Sequence, residues 1–302
     1  MALSFKQIRY FVATAELGQI SQAAVALAIS QSAVTTAIKE LEMTLGVDLF
    51  QRMPYGMELT DTGRRFLSHA YEIMAKMEEA LSLATPQMEI RGTITVAATY
   101  TVLGYFLPYH LGRIRRLFPD LTVKIHEMSR EAIEDGLLGR RYDMAVLLTS
   151  NLSNLEIASE TLLSSTRRLW VCSRHPLLQA REVSFELFVD EPYIMLTVDE
   201  AAQTTQKYWP NAASRPNVLL RTSSVEAVRS MVADGQGVTL LSDMVYRPWS
   251  LDGKRIERIN PSLPIPPMDV GLAWARDAEM TPIQIAFRDY FRQALQIQQG
   301  RI

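Results

Sequence analysis

Apolar residues recur at helical spacing from the start of the chain. Within "SFKQIRYFVATAEL", Phe5, Ile8, Phe11 (with Val12) and Ala15 share one face, and Ser4 stands before them as an N-cap. The next stretch, "SQAAVALAISQSAVTTAIKELEMTLG", holds two helix-start serines nine residues apart. Ser21 is expected to cap a helix with Ala23, Ala24 and Leu27 inward. Ser30 is expected to cap another with Ala33, Val34, Ala37, Ile38 and Leu41 inward, stopped by Gly46 in the usual C-terminal glycine position. A very short connection with small alanines at the crossing lets two helices pack at a steep angle, as in a helix-turn-helix. The same residues also fit a small helical bundle without a ligand.

In "VDLFQRMPYGMELTDTG", Val47, Leu49 and Leu59 flank a Pro54-Tyr55-Gly56 turn, which predicts a short β-hairpin. A hairpin after a helix-turn-helix makes a winged head whose tip can follow a phosphate backbone, with Arg52 supplying a cation at its base. Thr60 then caps a long helix. Along it Phe66, Ala70, Ile73, Met77, Ala80 and Ala84 are spaced four, three, four, three and four, with Leu67, Met74 and Leu81 repeating at sevens beside them. An exposed helix cannot hide such a stripe, so a second copy of the same helix is the expected cover. The other reading is that the stripe packs on its own chain.

From Gly92 the pattern changes to strands alternating with helices. "TITVAA" is a strand, "LGYFLPYHLGRIRRLF" a helix, Leu121, Val123 and Ile125 alternate in a second strand, and Ser129 caps "REAIEDGLLGR". "DMAVLL" is a fully apolar strand. The second half echoes this: strand "RRLWVC", helix around "SFELF", strand "YIMLT", helix "AAQTTQKYW", strand "NVLLR", helix "SSVEAVRSMVADG" and strand "GVTLLS". The strand "MDVGLAWA" follows, and Thr281-Pro282 opens a closing helix. Such alternation predicts a mostly parallel sheet covered by helices, and two similar α/β lobes suggest a ligand cleft between them.

Composition changes this picture little. The 302 residues exceed what one core usually serves, and 48% hydrophobic with 21% charged residues is ordinary for a soluble protein. No apolar run approaches the ~18–20 residues that cross a bilayer, and the N-terminus lacks a signal-peptide layout, so a cytoplasmic location is expected. Cys172, the only cysteine, lies in an apolar run and reads as a small buried hydrophobe. Net charge is −2, and the first 65 residues balance Lys6, Arg9, Lys39, Arg52, Arg64 and Arg65 against Glu16, Glu40, Glu42, Asp48, Glu58 and Asp61. Nucleic-acid binding must therefore rest on geometry and local clustering. The four histidines are scattered, with no metal-ligand spacing, no phosphate loop and no GxSxG elbow, which argues against an enzyme and against a bound metal or cofactor.

The first 85 or so residues closely resemble the LysR-type transcriptional regulators, through "QIRYFVATAELGQISQAAVALAISQSAVTTAIKELEMTLGVDLFQR" and "LTDTGRRFL". "GTITVAA", "LFPDLTV", "LLGRRYDMAVL", "HPL" and "VRSMVADGQGVTLLS" resemble the same family's effector domain. The resemblance implies a winged helix-turn-helix over 1–60, a dimerising linker helix and hinge over 61–90, and an α/β, periplasmic-binding-protein-like effector domain over 91–302. Its first lobe would take about 91–162 and 268–302, and its second about 163–267. It also implies a homodimer, commonly a homotetramer, that binds an interrupted palindrome in double-stranded DNA, answers a small-molecule effector and works with RNA polymerase.

In helix-turn-helix readers the second helix enters the major groove N-terminus first. Gln31, Ser32, Thr35, Thr36 and Lys39 are thus expected to face base edges, with Ser21 and Ser30 at helix starts that attract phosphate and Arg52, Tyr55, Arg64 and Arg65 near the backbone. Family members often carry arginine where Thr36 stands and proline where Ser32 stands, so the base preference is its own. The effector positions that match are Thr99, Tyr100 and Thr101, Thr149, Leu196 and Thr197, and Ser223 and Ser224. Hydroxyls at helix starts suit a carboxylate or other small anion, although each also reads as a plain N-cap. A solute-binding module whose head has lost DNA binding is the competing reading.

Overall fold

Ser4 starts the first helix as its position suggested: its Oγ accepts from Gln7 N at 3.2 Å, and Gln7 Oε1 accepts from Ser4 N at 2.9 Å. The computed structural model describes residues 3–27, 29–53, 56–82, 90–201, 205, 216–262 and 265–299. The chain forms two units, one over Met1–Met88 and one over Glu89–Ile297. The first opens with α1 (Phe5–Leu17), α2 (Ile20–Ala26) and α3 (Gln31–Leu45). Ser30 caps α3, accepting from Ala33 N at 3.2 Å, and Gly46 closes it in the left-handed region at φ 69°.

Ser21 does not cap α2. Gln19 holds the N-cap position without a side-chain cap bond, and Ser21 lies inside the first turn. The reason is Ile20, which packs against the head's core and so draws the helix start two residues earlier than a Ser21 cap would set it.

The wing is β1 (Phe50–Met53) paired antiparallel with β2 (Gly56–Leu59), Phe50 facing Leu59. The expected turn residues Pro54 and Tyr55 lie outside the described residues. Glu42 Oε1 accepts from Leu49 N at 2.8 Å and Phe50 N at 3.1 Å, which fixes the wing's entry to α3. Thr60 Oγ1 accepts from Gly63 N at 2.9 Å and starts α4 (Asp61–Ser82).

The expected seam on α4 is divided. Phe66 stacks edge-on against the fully buried Phe11 with ring centroids 5.0 Å apart, Ala70 is fully buried, and Leu67 and Met74 pack on the same core. These four pack on their own head. By contrast Ile73 and Met77 are 38% and 41% exposed and Ala80 is exposed. Ala84 lies outside the described residues. Along α4 the head's core reaches as far as Met74, so the stripe outruns what it can cover.

The second unit runs β3 (Gly92–Ala98), α5 (Tyr100–Tyr105), α6 (Leu107–Leu117), β4 (Leu121–Glu127), α7 (Arg130–Leu138), β5 (Met144–Leu148) and β6 (Ile157–Ser165). It continues through β7 (Arg167–Cys172), β8 (Pro192–Leu196), β9 (Asn217–Thr222), α8 (Val225–Ala233), β10 (Thr239–Ser242), β11 (Ile256–Ile259), β12 (Met268–Ala275) and α9 (Pro282–Gln299). The single helix expected after β3 is two, broken at Phe106, because Pro108 has no N–H to continue the ladder and fits only a first turn. "SFELF" forms no more than a 3₁₀ turn, Phe185–Leu187. Most of "AAQTTQKYW" lies outside the described residues.

One sheet has the order β4-β3-β5-β12-β6, with β3 parallel to both β4 and β5 and β12 antiparallel to β5 and β6. A second lobe is built on β10-β7-β11 and the parallel pair β8-β9, joined where Tyr193 bridges to Val238. The chain crosses between the sheets after β6 and again before β12. Arg167 ties the crossings together by donating to the carbonyls of Pro266 and Pro267 at 2.5 and 2.6 Å. In the first lobe His110 is buried beside Phe106, Phe291 and Tyr290, whose hydroxyl lies 3.0 Å from Nδ1. Burial, aided by the Arg113 charge, lowers its pKa to about 3, so the ring is neutral.

Candidate DNA-reading face and ligand cleft

α3 has two faces. Val34, Ala37, Ile38 and Leu41 are buried, while Gln31, Ser32, Thr36 and Lys39 are exposed together at its N-terminal half. Apolar residues at a three-four spacing turn inward, and the polar residues between them have nowhere else to go. Thr35 is only half-buried, but its hydroxyl donates to Gln31 O at 2.9 Å, leaving its methyl and a lone pair for any outside contact. Ser30 Oγ lies 3.0 Å from Ser32 Oγ. Between the starts of α1 and α3 runs a shallow depression lined by Ser4, Lys6, Ser32, Thr36 and Glu40. Lys6 therefore joins this surface, which the helical-face reading of α1 alone did not suggest.

Other expected contacts are less free. Arg64 donates to Leu59 O at 2.9 Å and pairs with Asp61 at 2.5 Å, so its charge is largely matched locally. Arg52 is exposed on β1 opposite Met57. Ser21 sits half-buried on α2, and Tyr55 lies outside the described residues.

In the second unit a cavity of about 670 Å³ opens at the carboxyl ends of β3, β4 and β5. The connection from β3 leads outward to β4, and the one from β4 returns past β3 to β5. The cavity thus lies at the point where the chain switches direction across the sheet, where open α/β sheets bind ligands. Thr99 and Tyr100 follow β3, Glu127 to Ala132 span the end of β4 and the start of α7, and Asn151 follows β5. Thr197, Val198 and Asp199 close it from the second lobe.

Of the expected effector residues, Thr99, Tyr100 and Thr197 line this cavity, and Thr101 and Leu196 line a smaller one behind it with Arg167. Thr149 lines neither: its hydroxyl lies 2.9 Å from that of Thr161, because strand alternation past Leu148 turns it toward β6 and β12. Ser223 and Ser224 line neither. Ser224 caps α8, accepting from Ala227 N at 3.1 Å, and the plain N-cap reading accounts for it.

Sequence reasoning missed Glu127, Arg130, Asn151 and Asp199, although the rule that pointed to the residues after β3 applies equally to those after β4. Asp199 bridges the lobes: its Oδ2 accepts from Thr101 N at 2.6 Å, and its carbonyl accepts from Asn151 Nδ2 at 3.4 Å. It adopts φ 49°, a left-handed conformation that aspartate tolerates better than most residues. Arg130 donates to Glu134 at 2.6 Å and to Glu131 at 2.8 Å.

A winged head with an exposed polar helix start, followed by a two-lobed unit with a cavity at a strand switch point, defines a DNA-binding regulator with a small-molecule receptor attached. The family model "Bacterial regulatory helix-turn-helix protein, lysR family" matches residues 5–64, and "LysR substrate binding domain" matches residues 87–296. The chain belongs to the LysR family of transcriptional regulators. It is 30% identical over 249 residues to the transcriptional regulator PecT of Dickeya dadantii, covering 82% of this chain and 74% of that protein. It is 27% identical over 257 residues to AlsR of Bacillus subtilis, covering 83% and 84%. Its fold matches the crystal structure of HinK, a LysR family regulator from Pseudomonas aeruginosa, with a TM-score of 0.64 at 27% identity over 97% of this chain and 99% of that one.

These relatives are transcriptional regulators rather than enzymes, and the head model matches through both α3 and the wing. A solute-binding module without DNA binding is therefore not favoured. Among the described residues no helix is long and apolar enough to cross a membrane, and no cluster of His, Cys, Asp and Glu could hold a metal ion.

Proposed function

We propose that the chain acts as a homodimer, assembled further into a homotetramer in the cytoplasm, that reads an interrupted palindrome and adjusts RNA polymerase activity according to an effector in the cavity at the ends of β3, β4 and β5. The observation that carries this is the exposed row Gln31, Ser32, Thr36 and Lys39 on the first turns of α3. Gln31 can pair with adenine, Thr36 offers a hydroxyl and a methyl, and Lys39 reaches guanine or phosphate. Lys6 and Arg52 flank the row for phosphate, and Thr35 contributes its methyl. With cations and carboxylates balanced in the head, one copy neutralises few phosphates, so two linked heads must supply the affinity.

Pairing falls to the part of α4 beyond its own core. Ile73 and Met77 are large, apolar and exposed there, with Ala80 in line. Phe66 and Ala70 support the pairing helix from inside the head. The effector acts by favouring one arrangement of the two lobes over another, for which it must bind the two with unequal affinity.

Genome-wide mapping of bound DNA supplies the operator. The test is then the paired substitution Ile73→Asp and Met77→Asp. In sedimentation this variant should run at half the mass or less of the parent, and in filter binding at physiological salt it should lose operator affinity at least about tenfold. A variant that stays dimeric, or a monomer that binds operator as tightly as the parent, would refute the proposal.

A further inference from the structure

The cavity at the strand switch point faces a ligand with acceptors, while its one described cationic side chain and a capping N–H at each adjoining helix start are already engaged. Both helix starts beside it are capped by the chain itself. Asp199 Oδ2 takes the Thr101 N–H at 2.6 Å, and Ser129 Oγ takes the Ala132 N–H of α7 at 3.4 Å. Among the described lining residues the one cationic side chain, Arg130, is forked between Glu131 and Glu134 at 2.8 and 2.6 Å. A ligand carboxylate taking the Thr101 N–H or the Arg130 guanidinium would compete with the carboxylate already there and would sit among other carboxylates.

Unengaged acceptors line the same space. The Glu127 side chain makes no hydrogen bond or ion pair among the described residues, and the second oxygen of Asp199 likewise has none there. An independent observation is Thr99, which is 3% exposed, lines the cavity, and has a hydroxyl with no hydrogen-bond partner among the described residues. A buried hydroxyl of this kind is costly to leave unmatched unless a ligand or water completes it. Apolar surface is present too: Tyr100 is 40% exposed, and Met128 and Leu148 stand on the same wall.

We infer that the effector of this chain is a small amine or amidine with an apolar body, its cationic nitrogen held between Glu127 and Asp199 and its remaining polar group completed by Thr99. This rests on the reading of the cavity as the effector site and fixes the ligand's charge, reversing the anion expected from helix-start hydroxyls. An ammonium or amidinium donates several hydrogen bonds and accepts none, which matches a wall of free acceptors. The Tyr100 ring gives its cation a face. A cation bridging Glu127 of the first lobe to Asp199 of the second would also link the lobes, which is the differential contact that effector control requires.

The experiment uses the full chain and matched pairs that differ in charge: tyramine against 4-hydroxyphenylacetate, benzylamine against benzoate, putrescine against succinate. Binding is followed by thermal shift and calorimetry, with operator binding measured on the same preparation. At least one amine should bind about tenfold or more tightly than its matched acid, and Glu127→Gln should weaken it about tenfold with operator binding unchanged. Glu127 is exposed, so this variant should fold, and Asp199→Asn serves as the second. Tighter binding by any acid than by its amine, binding by no amine, or amine binding indifferent to both substitutions would overturn the inference. If operator binding persists in those cases, only the ligand class is wrong; if it is absent from the parent chain, the regulatory reading fails as well.

Discussion

Replacing Gly63 with alanine should damage the head more than its position in a helix suggests. Gly63 lies in the first turn of α4, directly over the carbonyl of Leu49 at the entry to the wing. A Cβ built there would stand 2.0 Å from Leu49 O and 3.0 Å from both Leu49 C and Leu59 Cδ2. Contacts under 3.0 Å are essentially never seen, so the helix and the strand must part by at least 1 Å. Leu49 O cannot simply withdraw, since it accepts from Thr60 N at 3.0 Å and from Thr60 Oγ1 at 3.3 Å, bonds that fix the start of α4.

Overpacking of this kind costs about 1–3 kcal/mol, and a strained or lost hydrogen bond adds about 1 kcal/mol. Alanine's better helix propensity returns at most about 1 kcal/mol. The net is a destabilisation of about 2 kcal/mol, which in a unit this small corresponds to roughly 10 °C in melting temperature. The four tryptophans, at 170, 209, 249 and 274, all lie outside the head. Circular dichroism on the full chain sees both units, whereas tryptophan fluorescence sees the second. Gly63→Ala should lower the helical transition seen by dichroism and leave the fluorescence transition in place. The control is Gly112→Ala in α6, where an added Cβ meets nothing within 4 Å. There the propensity gain stands alone, and the fluorescence transition should hold or rise. A head transition that Gly63→Ala leaves unmoved or raises would show that the close approach to Leu49 does not control this junction.

Two further outcomes follow from local chemistry. Ser30→Ala removes the cap of α3 and the Ser32 contact, and should cost the head about 1 kcal/mol in thermal melts while weakening operator binding in a filter assay. His110 has a folded pKa of about 3 against 6.5 for the free side chain. Its stability contribution is therefore intact above pH 6.5 and is lost as pH falls toward 3, because the unfolded chain binds a proton that the folded chain refuses. The ceiling is about 5 kcal/mol, and urea midpoints followed by tryptophan fluorescence should decline over that window, less steeply in His110→Gln.

What could be seen in the sequence follows from how local each signal is. Ser4, Ser30, Ser129 and Gly46 act within one turn of backbone, and each does what its chemistry suggests. Ser21 fails because a tertiary contact, Ile20 on the head's core, outweighs a local cap. The strands Ile157–Ser165 and Ile256–Ile259 were not expected: their alternation carries serine, threonine, glutamate and arginine, and only pairing with β12 and β7 gives them an inside. The acidic character of the cavity was hidden for a similar reason. Asp199 is far along the chain from Glu127 and Arg130, and Arg130 reads as a free cation until its two carboxylate partners are placed.

The divided stripe on α4 shows why one heptad pattern can carry two duties. A helix rising 1.5 Å per residue passes beyond a small head within a few turns, so its apolar face must change partner without changing sequence character. Phe66 and Ala70 meet Phe11 and its neighbours, whereas Ile73 and Met77 lie one and two turns further along the same face and remain exposed. On the pairing proposed here, head stability and assembly are thus divided between positions of a single helix, the head's core reaching as far as Met74. Shortening the side chain at Phe66 would open the head's core and act on folding. Changing Met77 would leave that core intact and act on how closely a second head is held. That separation lets a head with balanced charge bind DNA: each copy is stable alone in its own core, yet the phosphate contacts of two copies are counted together only when the far end of α4 is paired.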